Sequence, residues 1–188
     1  MQPTRLTQPL ILTRGATFRQ TFFLQQTKLA YEAITGGRSF PLEITVPAHG
    51  LLDGWPIWIE GLKGIPELNR PYGGAPIFAE VIDEDTLRFG SVSGVDRPRP
   101  NGGSIVYNLP VDLTGATISV ELLDTAEPDE TLIVPSIVGP GEVQLLMSAS
   151  NSATITWGRA KFALWLTMSN GDRDCWVTGE IVAEGVAP

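Results

Sequence analysis

The chain has 188 residues, of which 43% are hydrophobic and 18% charged, a balance typical of a folded protein rather than a disordered polyelectrolyte. Its net charge of -8 disfavours binding to a nucleic acid backbone, which depends on cation contacts. No stretch approaches the roughly 20 apolar residues of a membrane span, and the N-terminal apolar run is too short for a secretory signal. We expect a protein made in the cytoplasm without a signal peptide, with no nucleic acid or membrane partner.

Twenty glycines and 15 prolines are spread along the whole chain, so the apolar residues fall in short runs between turn signals. This distribution disfavours long helices and predicts an all-β protein. Near the start, residues 11–26 indicate two strands or one bent strand, with Gly15 at the bend.

The middle of the chain has its own set of short strands, separated by glycine-rich turns. Five such strands can close into a small barrel, which leaves few unpaired sheet edges. The predicted strands are 40–46, 56–62, 76–83, 86–92 and 103–109.

The C-terminal part shows clear alternation of apolar and polar residues, which predicts strands with one buried face at 116–122, 142–148 and 161–168. The step Asn170-Gly171 favours a tight hairpin turn in which both residues take positive φ, so 161–168 should pair antiparallel with 174–183. Residues 148–159 carry a capping serine or asparagine and predict about one helical turn.

These elements predict an insertion. Residues 1–32 and 109–188 are expected to form one discontinuous antiparallel sandwich, and residues 33–108 an inserted small β-barrel domain. Insertions of this kind are tolerated at surface loops when the ends of the inserted unit lie close together.

Segments 12–24, 111–124 and 141–185 resemble an immunoglobulin-like β-sandwich module common in tailed-bacteriophage virion proteins. The shared features are Asp-Leu-Thr-Gly-Ala at the start of one strand, a Met-Ser-Ala step, a glycine before the penultimate strand and a final Gly-Glu-Ile-Val strand. The resemblance covers roughly 100 residues and implies an immunoglobulin-like antiparallel β-sandwich.

Residues 46–89 resemble a small β-barrel repeat found in phage tail and fibre proteins. The shared features are an Ala-His-Gly-Leu turn and an acidic Asp-x-Asp-Thr hairpin, while Trp55-Pro56 departs from the repeat. The repeat is similar in shape to the first catalytic cysteine half-domain of ubiquitin-activating enzymes, but the matching segment contains no cysteine, so no catalytic residue transfers.

Together the two resemblances imply a non-enzymatic structural component of a tailed-phage virion. We favour a tail or baseplate adaptor, or a fibre-attachment protein, located in the virion. Its partners would be other virion structural proteins, within a homo-oligomer or symmetric multi-copy assembly. The alternatives are a capsid decoration or cement protein, and a host-receptor or glycan-binding module; an enzyme ranks third.

The sequence predicts no catalytic, cofactor-binding or metal-binding residue. His49 is the only histidine and precedes Gly50, so we expect its imidazole to hold a turn by hydrogen bonds to nearby backbone. One histidine and one cysteine, Cys175, are too few for a zinc site, and no Gly-x-Ser-x-Gly motif accompanies them. Cys175 lies in a predicted strand, which favours a structural thiol.

Two acidic clusters are compatible with a calcium site or a glycosidase pair, but neither has the ligand spacing of an EF-hand loop. We therefore favour solvated turns for both. The first cluster is Asp83, Glu84 and Asp85; the second is Asp124, Glu127, Asp129 and Glu130.

Five residues are candidates for an interface with a partner: Trp55, Trp58, Arg97, Arg99 and Trp165. Trp55 and Trp58 would serve as the stacking platform in the glycan-binding alternative. Arg97 and Arg99 each precede a proline in a loop expected to be extended and exposed, where an acidic patch of a neighbouring subunit could bind. Trp165 lies opposite the apolar face of its strand, so something should cover it.

Overall fold

The computed structural model describes residues 4–123 and 132–185. The chain is mostly β, with several antiparallel sheets, which confirms the predicted all-β class. It divides into two compact units, one made of the residues up to Leu24 together with those from Pro110 onward, the other of Gln25–Leu109.

Short helical elements join some of the strands: a 3₁₀ turn at Pro66–Leu68 and a helix, α1, at Ala149–Ala153. In chain order the strands are β1 (Thr4–Arg5), β2 (Leu10–Thr13), β3 (Phe18–Phe23), β4 (Gln25–Ala33), β5 (Gly36–Arg38), β6 (Glu43–Thr45), β7 (Pro56–Glu60), β8 (Ile77–Phe78), β9 (Glu80–Asp83), β10 (Thr86–Arg88), β11 (Ser104–Pro110), β12 (Thr117–Leu123), β13 (Val134–Gly139), β14 (Glu142–Met147), β15 (Arg159–Thr167) and β16 (Arg173–Glu184).

The discontinuous unit contains two sheets. The first has the order β1-β16-β15-β12, with β2 also pairing with β16; β1 and β2 run parallel to β16 and the other pairs are antiparallel. The second has the antiparallel order β13-β14-β3. One hydrophobic core is shared by both, since it contains Leu12 and Phe162 of the first sheet and Phe22 and Leu145 of the second.

The alternation seen in the sequence accounts for this core. Val143, Leu145 and Met147, every second residue of β14, are each 0% exposed, as predicted. On β15 the buried set contains Phe162, Leu164 and Leu166, also as predicted. Because successive side chains of a strand point to opposite faces, one face of each of these strands packs against the core.

The β15–β16 hairpin forms as predicted, but its turn differs from the expected one. Gly171 has a φ of +89°, whereas Asn170 is not among the residues with positive φ. Met168 N–H donates to Asp172 O at 2.8 Å, and Gly171 N–H donates to Met168 O at 2.9 Å. The loop therefore has three residues rather than two, and only its glycine is left-handed, as is usual for this loop length.

Helix α1 is the short helical element predicted between β14 and β15. The Ser148 hydroxyl accepts a hydrogen bond from Asn151 N–H at 3.1 Å and caps it. Ser152 is fully buried and its hydroxyl donates to Ala16 O at 2.7 Å, which ties the helix to the turn before β3.

Backbone hydrogen bonds hold the discontinuous unit together at the point where the chain leaves it for residues 25–109 and later returns. Val111 N–H donates to Leu24 O at 3.0 Å, and Leu24 N–H donates to Gly141 O at 2.6 Å. The last residue before the second unit and the first residues after it therefore lie side by side.

The unit of residues 25–109 has two four-stranded sheets, β5-β6-β10-β9 and β4-β11-β7-β8. Its buried residues include Ile44 and Leu87 in the first sheet and Ile57 and Ile105 in the second, each at most 1% exposed. All five predicted segments contain strand, but β4 and β5 were not predicted, and the run 76–83 forms two strands. The predicted boundary between residues 32 and 33 falls inside β4.

Candidate functional site

The turn that holds His49 uses both nitrogens of the imidazole. Nδ1 accepts a hydrogen bond from Leu51 N–H at 3.0 Å, and Nε2 lies 3.1 Å from Asp83 O, to which it donates as the Nε2–H tautomer. The side chain is 3% exposed, and this burial lowers the pKa of His49 against the opposing hydrogen bond to Asp83. The predicted hydrogen bonds to the backbone are confirmed, and they occupy both ring nitrogens.

The first acidic cluster caps the same turn. Asp83 Oδ1 accepts from Asp85 N–H at 2.9 Å, and this hydrogen bond is the main cause that lowers the pKa of Asp83. Asp85 Oδ1 accepts from Ala48 N–H at 2.7 Å. These carboxylates stabilise the β9–β10 hairpin and the neighbouring turn, which is the solvated-turn role that we favoured.

Four charged residues form a row across the sheet β5-β6-β10-β9. Arg38, Glu43, Arg88 and Glu80 are direct partners on successive strands and alternate in sign. Glu43 is 5% exposed. Its carboxylate forms salt bridges with the guanidinium groups of Arg38 at 2.6 Å and Arg88 at 3.0 Å. Arg88 also forms a salt bridge with the Glu80 carboxylate at 3.4 Å. The hydrogen bond from Arg38, followed by that from Arg88, holds the pKa of Glu43 below its ordinary value. The row is a structural ion-pair network that sequence reasoning missed.

Trp55 and Trp58 are core groups of their unit. Trp55 is 2% exposed and its Nε1–H donates to Asn108 O at 3.2 Å, while Trp58 is 9% exposed and donates to Gly74 O at 2.8 Å. They do not form the exposed stacking platform suggested for a sugar ligand. The exposed ring at this position is Tyr72, which meets Trp58 edge-on with 4.8 Å between the ring centroids.

Arg97 and Arg99 lie on an exposed loop whose backbone is fixed within its own unit. Arg97 N–H donates to Gly94 O, and the Arg97 guanidinium pairs with Glu67 at 2.5 Å. Arg97 O also accepts from the Ser39 hydroxyl at 3.0 Å. The Arg97 guanidinium is thus already paired with a carboxylate of its own unit, whereas Arg99 is exposed.

Trp165 points away from the core, as predicted from the alternation along β15, which places it on the face opposite to that of Phe162, Leu164 and Leu166. It is partly buried, and the Arg173 guanidinium lies over its ring, 4.5 Å from the ring centroid. Arg173 in turn donates to Glu121 Oε1 at 2.6 Å. Trp165 Nε1 is buried without a hydrogen-bond acceptor among residues 4–123 and 132–185, and so is Trp176 Nε1.

Cys175 lies directly opposite Trp165 on β16, so it belongs to a strand as predicted. Its thiol is partly buried, and this burial raises the pKa of Cys175. A raised thiol pKa leaves less of the nucleophilic thiolate at neutral pH.

The second acidic cluster, Asp124 with Glu127, Asp129 and Glu130, lies outside the described residues. Within the part of the chain that the structure describes, no three His, Cys, Asp or Glu side chains come together so as to hold a metal ion. The helices of that part are too short or too polar to span a bilayer.

The candidate site that remains is the surface around Trp165, on which an aromatic ring, an arginine and a carboxylate meet. No family model matches this chain, and neither a curated protein nor a solved structure is significantly similar to it.

Proposed function

We propose that the chain is a non-enzymatic structural component of a tailed-phage virion, acting as a tail or baseplate adaptor or a fibre-attachment protein. We further propose that the discontinuous unit is an immunoglobulin-like β-sandwich and that residues 25–109 form a small inserted β-barrel. The virion role rests on the resemblances in the sequence, and the sandwich assignment rests on strand order.

Strand order is the observation that carries the proposal. An immunoglobulin-like sandwich places its second, fifth and fourth strands in one sheet and its third, sixth and seventh in the other. Here β3, β14 and β13 form one sheet and β12, β15 and β16 the other, in the corresponding chain order. The second unit then occupies the connection between the second and third strands of the sandwich. This order supports the module that segments 111–124 and 141–185 resemble.

The barrel assignment is supported by the two four-stranded sheets within residues 25–109, whose strands are between two and nine residues long. A small barrel encloses an interior that is filled by side chains. Buried side chains such as Ile44 and Ile57 provide that interior.

The non-enzymatic role is supported by how the reactive side chains are used. Both nitrogens of His49 bind backbone groups, and the Asp83 and Asp85 carboxylates cap backbone N–H groups. Glu43 is held by two arginines. Each of these groups is engaged in stabilising a turn or a sheet.

In this role the chain acts through its surfaces. Among the described residues, strands β12 and β13 are the terminal strands of their sheets, and a terminal strand is the position at which a partner strand can be added. In a symmetric particle such a contact is repeated many times, so a modest affinity at each copy suffices.

The test is to purify particles of the phage that encodes the chain through a density gradient and to locate the chain by mass spectrometry and immunogold electron microscopy. We expect the chain in intact particles, with label on the tail or baseplate. Label on the head would instead support the capsid decoration or cement alternative. A chain that occurs in infected cells but is absent from purified particles would overturn the virion role.

A further inference from the structure

Among residues 4–123 and 132–185, β4 is the longest strand that lies at the end of a sheet. It has nine residues, whereas the other terminal strands of its unit, β5, β8 and β9, have between two and four. Within the described residues β4 pairs with β11 alone, so one row of its backbone N–H and C=O groups points away from the sheet. A long edge of this kind is a template on which a further strand pairs.

The side chains of β4 are accessible, and two of them are charged. None of its nine residues is buried, and Tyr31 is 63% exposed. Lys28 and Glu32 are its two charged residues, and neither forms an ion pair with another described residue. The strand is therefore electrically neutral, although the chain as a whole carries a net charge of -8.

The sequence of β4 is complementary to itself when two copies run antiparallel about Ala30. Lys28 of each copy then stands opposite Glu32 of the other, so the same ion pair forms twice. Leu29 and Tyr31 also stand opposite each other twice, on the other face of the sheet. Directly opposed residues of an antiparallel pair have Cα atoms about 4.5–5.5 Å apart, where opposite charges and aromatic–aliphatic neighbours are favourable.

No other antiparallel register of β4 with itself matches the charges. If one copy slides by two residues, both Lys28 and Glu32 face uncharged residues. If it slides by four, either Lys28 faces Lys28 or Glu32 faces Glu32, and like charges directly opposite are unfavourable. A lysine on an edge strand also disfavours pairing with strands that lack a matching carboxylate. The two charges thus select both the register and the partner.

We propose that β4 is the docking edge for β4 of a second copy of this chain, related by a two-fold axis at Ala30. A two-fold contact uses the same patch on both partners, which the self-complementary order of Lys28 and Glu32 satisfies. The sheet β4-β11-β7-β8 of one copy then continues into that of the other. Because the contact involves a single strand of each copy, the dimer is weak and reversible. This inference goes beyond the proposed virion role and does not depend on it.

Sedimentation-velocity ultracentrifugation of the full chain over a concentration series tests the inference. We expect the weight-average sedimentation coefficient of the wild type to rise with concentration. Lys28→Glu and Glu32→Lys each place like charges opposite one another at both ends of the contact, so each should weaken association by about tenfold or more. Neither position is buried, so both variants should keep the fold, which circular dichroism checks.

Restoring the charge match should restore association. The double variant Lys28→Glu/Glu32→Lys exchanges the two charges, so opposite signs face each other again and the dimer should form as in the wild type. An equimolar mixture of the two single variants should also associate, because every charge of one chain then faces the opposite charge of the other. A merely structural role of these side chains would produce neither recovery.

Lys63→Glu is the matched control, because it makes the same substitution at an exposed lysine of the same unit outside β4. We expect it to associate like the wild type. A wild type that stays monomeric at the highest concentration would overturn the inference. So would single variants that associate like the wild type, a double variant that does not recover, or loss of association in Lys63→Glu.

The outcomes also separate this inference from the proposed function. Monomeric behaviour refutes pairing through β4 and has no bearing on detection of the chain in particles. Absence of the chain from purified particles refutes the virion role and leaves the sedimentation result as it is.

Discussion

Arg88 and Glu43 face each other on neighbouring antiparallel strands, and the Arg88 guanidinium donates to Glu43 Oε1 at 3.0 Å although the glutamate is only 5% exposed. Arg38 approaches the same carboxylate from the opposite strand. A carboxylate removed from water to this degree depends on its donors, because unpaired burial of a charge is strongly unfavourable.

Arg88→Met should therefore lower the free energy of unfolding by about 1–3 kcal/mol, the range for losing hydrogen bonds to a charged group. Arg159→Met is the control, because the Arg159–Glu180 pair is exposed at the arginine and should contribute at most about 1 kcal/mol. Urea denaturation followed by circular dichroism measures both. Equal losses in the two variants would contradict the importance that we give to the Arg38–Glu43–Arg88 row.

Stability should fall as the pH drops through the glutamate range, in part because of Glu43. Its pKa is lowered in the folded state, so the unfolded chain binds the proton more tightly and the contribution of Glu43 is lost on acidification. In Glu43→Gln the slope of unfolding free energy against pH should be smaller in this range, although Asp83 and Asp112, whose pKa values are also lowered, still contribute. Denaturation midpoints at several acidic pH values provide the measurement, and identical slopes in both proteins would refute the assignment.

His49 should be less protonated in the folded protein than a free histidine, which is half protonated at about pH 6.5, because burial lowers its pKa. Burial lowers its folded pKa, so protonation favours the unfolded chain and the stability that His49 contributes is lost as the pH falls below the ordinary histidine range. Because it is the only histidine, long-range ¹H–¹⁵N NMR gives one imidazole pattern, which should be that of the Nε2–H tautomer. An Nδ1–H pattern, or titration at the ordinary pKa, would be inconsistent with the hydrogen bonds to Leu51 and Asp83.

Trp58→Ala should lower the free energy of unfolding by about 3–5 kcal/mol, because it empties a buried aromatic position. Tyr72→Ala should cost only about 1 kcal/mol, since this ring is 45% exposed and contributes mainly its edge contact with Trp58. Because Tyr72→Ala is expected to keep the fold, the glycan-binding alternative is best tested by comparing this variant with the wild type on a glycan array. Thermal unfolding that is equally affected in both variants would show that Trp58 does not have the core role described above.

Gly103→Ala should be far more disruptive than Gly102→Ala, although both glycines have positive φ. A Cβ at Gly103 would lie 2.4 Å from Glu60 O, whereas at Gly102 it would meet no atom within 4 Å. We expect a loss of about 1 kcal/mol at Gly102 from backbone strain alone and about 3 kcal/mol or more at Gly103. Urea denaturation of the two variants decides this, and similar losses would mean that the β7–β11 contact is looser than described.

The sequence was most informative where one face of a strand is buried. Val143, Leu145 and Met147 alternate with polar residues, and this pattern alone identified β14 and its inward face. In β7 the sequence pattern is not sufficient to tell the inward from the outward face. Pro56 to Ile59 are all buried, and a continuous apolar run does not reveal which side chains are enclosed. For this reason the sequence pattern does not distinguish Trp58, which lies inside, from a residue of the surface.

The charged row was not predictable for a different reason. Arg38, Glu43 and Arg88 are brought together by the register of three strands, and β5 contributes two glycines without any apolar alternation. Register between strands distant in sequence depends on packing and turns rather than on local pattern. Trp165, in contrast, could be placed on the outward face of β15 because its neighbours alternate clearly.

The hydrogen bond from Val111 to Leu24 bears on the order in which the chain acquires its structure. Strand β3 must pair with β14, and Phe22 and Val143 are far apart in sequence. Closing so long a loop is entropically unfavourable and slows folding, whereas an intervening segment that has already folded brings Leu24 and Val111 together and shortens the effective loop. Early folding of residues 25–109, which leave the ribosome before β12 to β16, would then accelerate completion of the surrounding sheets.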